Sequence, residues 1–333
     1  MLSAIMRQKT GYWPHLAALA YVVLAYAGGL ALLLADSWWL KPLGVPLVAH
    51  GLVIAAYLIH ECAHNTVFAE NRYNARLGEA LSFLVGSAYG DYEDIRHKHF
   101  RHHVDRADVV AFDYREVLKR HPALLRVIQA LEWAYIPAVD LMMHALVVAL
   151  PFTLESRRVR RPRVLTVLLV RLALFAFLGW LSLSALLLYA VAYMLFLHVL
   201  RFMDVHQHTF EVFATLENER GPEARQFDRA YEDRNTYSNL VSLRHPWLNL
   251  ITLNFGYHNV HHVRPTAPWY ALPRMHRELY GEDTSQVLFI GPLLRAYHRY
   301  RVARVINADA SDMAVGDGHD FIGVVGVSFL TAH

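Results

Sequence analysis

Arg96-His97-Lys98-His99-Phe100-Arg101-His102-His103 places four imidazoles within eight residues. Neutral imidazole is the commonest protein metal ligand, whereas protonated rings crowded together would repel one another. What matters is which rings point the same way. On a helix, positions i, i+3 and i+4 stand at about 0°, 300° and 40°, so His99, His102 and His103 share a face. His97 lies about 200° from His99 and points outward or supports from behind. Taken alone, the run also reads as a basic, solvated helix face. The rest of the chain decides between these readings.

The 333 residues are 55% hydrophobic, with a mean hydropathy of +0.21. An ordinary soluble domain is about 45–50% apolar. The length allows one large domain or two medium ones. A net charge of +3 is too weak to argue for a nucleic-acid partner. The single cysteine, Cys62, excludes an intramolecular disulfide, a cysteine zinc site and a cysteine-ligated iron–sulfur cluster. The unusual count is 21 histidines.

His15 to Ala35 carries no interior charge and is long enough to span a bilayer. A signal peptide is the competing reading, but the apolar run is too long and no clear small-residue cleavage site follows. The linker 36–42 puts Trp38 and Trp39 where an interfacial aromatic belt would lie. A second span, Leu43 to Ile59, runs directly into His60. Leu77 to Gly90 is too short to cross and reads as re-entrant or interfacial. Leu131 to Phe152 is apolar but holds Glu132, Pro137, Asp140 and His144, and reads as a helix at the interface or against other helices. Glu155 to Arg163 contains five arginines in nine residues, which marks the cytoplasmic side. Val164 to Phe202 is long enough for a helical hairpin turning at 179–184, and Arg171 within it must snorkel or find a partner. Leu293 to Ile306 is basic and amphipathic, as expected on an anionic membrane surface. In the tail, Phe321 to Leu330 is apolar but too short to span, and no role is assigned to it.

These readings predict an all-α integral membrane protein. Four transmembrane helices form two hairpins, with a cytosolic helical cap carrying the histidine boxes. The N-terminus, residues 60–163 and everything after Met203 then share the cytoplasmic side.

Three further histidine groups fall on that side. His60-Glu61-Cys62-Ala63-His64 has i, i+4 spacing at the end of a span. His258-Asn259-Val260-His261-His262 repeats the i, i+3, i+4 spacing of His99, His102 and His103. Eight rings exceed the four to six ligands of one ion, so two ions are implied. The last group holds His206 and His208. If the last span continues as a helix, these two rings are about 200° apart. Asp204 and Glu211 share the face of His208, and a carboxylate behind a ligating histidine is common. His208 is preferred, with His206 the alternative.

The boxes HECAH at 60–64, HFRHH at 99–103 and HNVHH at 258–262 resemble those of the membrane-bound fatty acid desaturase/hydroxylase family. The resemblance extends to the order of boxes and spans and covers about residues 15–265. It implies a non-haem di-iron centre at the cytosolic ends of four membrane helices. The two iron ions would be held by His60, His64, His99, His102, His103, His258, His261 and His262. A histidine of the fourth region is also implied, carried here to His208; the family pattern does not say which of His206 and His208 matches. It further implies O₂ as co-substrate, a lipid or acyl chain as substrate, and an external electron donor of ferredoxin, rubredoxin or cytochrome b5 type. The reaction would be double-bond introduction, with hydroxylation as the alternative. Residues 1–265 would form the membrane domain with its di-iron cap, 266–307 a cytosolic, partly amphipathic continuation, and 308–333 a tail. The segments Arg157–Arg163 and Arg295–Arg304 read first as topology and headgroup anchors, and second as a dock for an acidic electron carrier.

Two readings of other classes compete. HECAH fits the HExxH zinc protease signature with Glu61 as general base, but that leaves the six histidines of the other two boxes without a role. A histidine-rich metal transporter would want ionisable residues deep within several spans, and the spans hold almost none besides Arg171.

Overall fold

The computed structural model describes residues 5–110, 112–210, 213–216, 227–306 and 321–323. In chain order the helices are α1 (Tyr12–Leu34), α2 (Lys41–Ala63), α3 (Asn71–Val85), α4 (Tyr92–Asp105), α5 (Tyr114–Arg120), α6 (Pro122–Trp133), α7 (Ala138–Thr153), α8 (Arg161–Leu181), α9 (Leu183–Val205), α10 (Arg229–Arg234), α11 (His258–Val263), α12 (Leu272–Tyr280) and α13 (Ile290–Tyr300). Four three-residue strands are interspersed: β1 (Asp108–Val110), β2 (Phe213–Thr215), β3 (Ser238–Leu240) and β4 (Val287–Phe289). The chain divides into two units, Met1–Tyr92 with His144–Val199, and Glu93–Met143 with Leu200–His333.

The first unit bears the spans. Among the described residues, four helical stretches are long and apolar enough to cross a membrane: Lys9–Leu34, Lys41–Ala63, Glu155–Leu181 and Leu183–Val205. The second is longer than its apolar run suggests, because Pro42 is tolerated in the first turn and HECAH continues the helix. Gly29 and Gly44 let α1 and α2 approach closely. A Cβ on Gly44 would stand 2.7 Å from the Gly29 carbonyl oxygen, and one on Gly29 would stand 2.6 Å from Val48. Helices α8 and α9 are separated by Ser182 alone, which is extended. Lys41 ties the two hairpin turns together: its Nζ donates to the Leu33 carbonyl at 3.2 Å and to the Ser182 and Ser184 hydroxyls at 3.4 and 2.9 Å. Both turns therefore lie at one end of this unit, where Trp38, Trp39 and Trp180 are exposed. Leu165, Leu169 and Leu172 expose an apolar face of α8, as expected toward lipid.

Arg171 finds its partner at the end of α3. The last carbonyls of a helix lack intrahelical donors and carry its negative pole. Arg171 Nη1 donates to the Phe83 carbonyl at 2.8 Å, and the Tyr193 hydroxyl donates to the Val85 carbonyl at 3.1 Å. Gly86, at φ +92°, closes the helix in the left-handed conformation. The arginine run is largely engaged within the same unit. Arg163 pairs with Asp91 and Glu79 and donates to the Ala88 carbonyl, and Arg161 donates to the Pro151 carbonyl.

The structure differs from expectation in two places. The stretch 131–152 is not one helix: Tyr135, at φ +59°, and Pro137 separate α6 from α7. Its acids face inward. Glu132 and Asp140 are buried beside Arg201, whose Nη1 lies 2.7 and 3.6 Å from their carboxylates. The basic segment 293–306 does not lie wholly on a surface either. Helix α13 ends at Tyr300, and Arg304 turns inward, donating to the carbonyls of Tyr297, Phe321 and Ile322. Residues 321–323 of the tail are thereby held against the end of α9. Gly323 sits at φ +73°, where a Cβ would stand 1.7 Å from the Val205 carbonyl oxygen.

Candidate metal centre

Helix α4 presents its histidines as its periodicity dictates. His99 is buried, His102 and His103 are partly buried beside it, and His97 is exposed. The basic-face reading fails at Lys98, which is buried. Burial lowers its ammonium to about 8, against the opposing pull of Asp108, Asp204 and Asp140. Arg106, at φ +51°, ends the helix and turns the chain into β1. That turn brings the Ala107 carbonyl within 2.9 Å of His102 Nδ1. Strand β1 pairs in parallel with β2, Asp108 opposite Phe213.

His208 reaches the site by a route the helical argument missed. Helix α9 stops at Val205, so His206 and His208 are not related by helical angles. His208 instead bridges to Thr236 in β fashion, supported by Tyr237 N donating to the Gln207 carbonyl. The backing assigned to it changes accordingly. Asp204 lies among the charges acting on Lys98, and Glu211 lies outside the described residues. His206 turns away, with Nδ1 on the Phe202 carbonyl and Nε2 on Arg304.

Helix α11 carries the last box in under two turns. Gly256 precedes it under close approach from β3, where a Cβ would stand 2.3 Å from the Asn239 carbonyl oxygen. Within the box, Asn259 is held by Ser238, which donates to its Oδ1 at 3.1 Å.

These elements bring together the Nε2 atoms of His102, His208, His258 and His262. His208 lies 3.0 Å from His102 and 2.7 Å from His258, and His258 lies 3.1 Å from His262. Two nitrogens bound about 2.1 Å from one ion, at right angles, stand about 3.0 Å apart. The other ring nitrogens decide the tautomers. His102 Nδ1–H donates to Ala107, and His262 Nδ1–H donates to Glu232 Oε1 at 2.8 Å. His208 Nδ1 faces the Thr236 hydroxyl at 3.4 Å, and that hydroxyl's proton goes to the Glu232 carbonyl. The three Nε2 atoms thus turn lone pairs toward one another, an arrangement a cation would relieve. Burial is the main cause that lowers all four rings, the mutual proximity of like groups adding to it for His208, His258 and His262. His102 falls to about 4, with Lys98 contributing. Neutral nitrogen donors of this kind suit iron, zinc, copper or nickel.

A second group lies alongside. His103 Nε2 is 3.1 Å from the Nε2 atoms of both His99 and His261, and its ring is 4.3 Å from that of His262. His60 and His64 belong to the span-bearing unit, their rings 4.8 Å apart at the end of α2. Between them, Glu61 accepts the Thr66 hydroxyl at 2.5 Å.

Glu232 was not anticipated. It sits in a charged stretch where nothing in the sequence separates it from its acidic neighbours. Asp228 caps α10 by accepting from Tyr231 N, which turns Glu232 inward between Arg106, at 3.0 Å, and His262.

Comparison with known proteins bears on the family. The family model described as fatty acid desaturase matches residues 36–292. A protein named fatty acid desaturase, from Bacillus subtilis (strain 168), is 26% identical over 267 residues, covering 74% of this chain and 70% of the relative. Four apolar helices, histidines grouped by three sequence boxes and a match across most of the length lead to one conclusion: this chain belongs to the fatty acid desaturase family.

Proposed function

We propose that the protein is an O₂-dependent di-iron desaturase of a lipid acyl chain, embedded in the membrane with its histidine boxes on the cytoplasmic side. The supporting observation is the convergence of four neutral, inward-facing imidazoles from α4, α11 and the segment after α9. One metal ion would be held by His102, His208, His258 and His262, and the other by His99, His103 and His261. His60 and His64 enter the proposal from the sequence alone. Bound iron would supply O₂ activation and hydrogen removal from an unactivated methylene, which no side chain can accomplish by proton transfer.

The surrounding residues hold the ligands in their reactive form. Ala107 and Glu232 fix the tautomers of His102 and His262, and Arg106 holds Glu232 in turn. Phe210 stacks on His208 and keeps water from that side. Reducing equivalents come from an external carrier of ferredoxin, rubredoxin or cytochrome b5 type, since one cysteine cannot build an internal iron–sulfur relay.

Metal analysis of the solubilised protein, together with lipid profiling of cells with and without it, tests this. Roughly two irons per chain and products lacking two hydrogens are expected. Products gaining one oxygen atom would indicate hydroxylation. A zinc-only protein whose activity depends on Glu61 and survives His261→Ala would overturn the proposal in favour of a protease.

A further inference from the structure

We propose that the span-bearing unit also holds a binding site for one free fatty acid, with its carboxylate on Arg171 and its chain between α1 and α8. A cavity of 380 Å³ opens there, lined by residues of α1, α3, α8 and α9. Its wall is apolar from Leu30 and Leu34 on one side to Leu174, Leu178 and Leu181 on the other. The polar groups gather at one end: Arg171, Tyr26 and Tyr189. Among the described residues, no histidine, cysteine or carboxylate lines it, so it shares no residue with the candidate metal centre.

Arg171 makes the charge argument. It stands halfway along α8 and is 9% exposed. Its hydrogen bond to the Phe83 carbonyl uses one of five N–H donors, and among the described residues it makes no ion pair. The rings of Phe83 and Phe175, 6.0 and 5.4 Å from its guanidinium carbon, offer only partial compensation. A cation within a span is expected to have a charged or polar partner, and a carboxylate matches a guanidinium's paired N–H groups. The hydroxyls of Tyr26 and Tyr189 bond to each other at 3.2 Å, which leaves one O–H to donate to the same ligand.

Length selects the rest of the ligand. From Arg171 to Leu181 is about 15 Å of helix, the depth of about one leaflet of hydrocarbon. At 380 Å³ the cavity holds about one chain rather than the two of a phospholipid. The head would lie toward the arginine-rich start of α8 and the methyl end toward its far turn.

Photolabelling tests this with the intact protein in nanodiscs. The probe is a palmitate analogue carrying a diazirine near its methyl end, and the labelled residues are located by mass spectrometry. Labels are expected around Leu34, Leu178 and Leu181. Palmitate should compete, and methyl palmitate should compete about tenfold more weakly, a difference of about 1.4 kcal/mol. This comparison needs no variant. Arg171→Gln keeps a donor for Phe83 but removes the charge, and should cut labelling about tenfold, while Arg171→Lys, which keeps the charge but not the paired N–H groups, should fall between the two. Leu178→Trp should exclude palmitate yet admit octanoate. Equal competition by the methyl ester, or labelling unchanged in Arg171→Gln, would overturn the proposal and leave a gap filled by bulk lipid. Competition by phosphatidate but not palmitate would overturn it in favour of a phosphate headgroup. Labelling of a His261→Ala protein should be unchanged, so the outcome does not depend on the proposed reaction.

Discussion

Within the spans, Arg171 and Lys41 end on backbone carbonyls and hydroxyls. In the histidine-bearing unit, Arg201 ends on Glu132 and Asp140, and Arg106 ends on Glu232, which also holds His262. The difference lies in what each arrangement leaves behind when one member is lost. A carbonyl released by a missing lysine is one unsatisfied neutral acceptor, costing about 1–3 kcal/mol. A carboxylate released inside a network is an uncompensated buried charge, and breaking such a pair costs about 3–5 kcal/mol. The Glu232 network should therefore answer single substitutions in metal affinity and pH response, and the carbonyl-tethered cations of the spans without a change in either.

The largest effect should come from His258→Ala. His258 Nε2 lies against both His208 and His262, so its loss opens the four-ring group at its middle. Metal content should fall by about half or more and product formation by over about a hundredfold. Full metal loading in this variant would break the assignment of the group. Glu232→Gln should follow. It removes the charge that Arg106 and His262 share while keeping the shape, so metal affinity should drop about 10–100-fold with the fold intact. Unchanged affinity in a chelator competition would reduce Glu232 to a partner of Arg106.

The two units were not equally legible. Hydropathy and length located all four spans, because a bilayer imposes one composition on about 20 residues at a time. Box spacing located the shared faces of α4 and α11, because helical periodicity is local. What stayed hidden depends on contacts remote in sequence. Glu132 and Asp140 could not be assigned to an interface or to packing against other helices, because their partner, Arg201, is about sixty to seventy positions away. Glu232 was one acid among several until α10 turned it toward His262. His208 was preferred on helical angles, although the chain there is no helix and the β bridge to Thr236 sets the ring. Arg171 was visible as a difficulty, but its partner is a carbonyl, which no side-chain pattern records.

Acid gives the third effect. Folding lowers His102 from 6.5 to about 4, and lowers His208, His258 and His262 well below 6.5. Above about pH 6.5 these rings are neutral in both folded and unfolded chains and contribute no pH dependence. Below it the unfolded chain takes up protons that the folded rings refuse, so the folded state loses stability as pH falls toward 4. The slope is at most about 1.4 kcal/mol per pH unit for each ring. Protons also compete with any bound metal over the same window. Unfolding of the chelator-treated protein in detergent between pH 7 and 4 should show this loss, less steep in His102→Ala. A flat response down to pH 5 would mean that the folded rings take up protons as readily as those of the unfolded chain, and would break the picture of a buried, neutral group.

The smallest effect tests the other side of the comparison. Lys41 is 6% exposed, and its ammonium joins the end of α1 to the turn between α8 and α9. Lys41→Met keeps the stem's length and apolar packing but leaves the Leu33 carbonyl and the two serine hydroxyls without their donor. The serines retain each other at 3.0 Å, so only the carbonyl is left wanting. Thermal unfolding in detergent should therefore show a loss of about 1–3 kcal/mol. Metal content and its pH dependence should stay at wild-type values, since no ionisable partner is stranded. Ser184→Ala should cost less, about 0.5–1.5 kcal/mol, because Ser182 remains within reach of Nζ. If Lys41→Met lowered metal content as Glu232→Gln does, the distinction between carbonyl-tethered cations and coupled networks would fail at its simplest point.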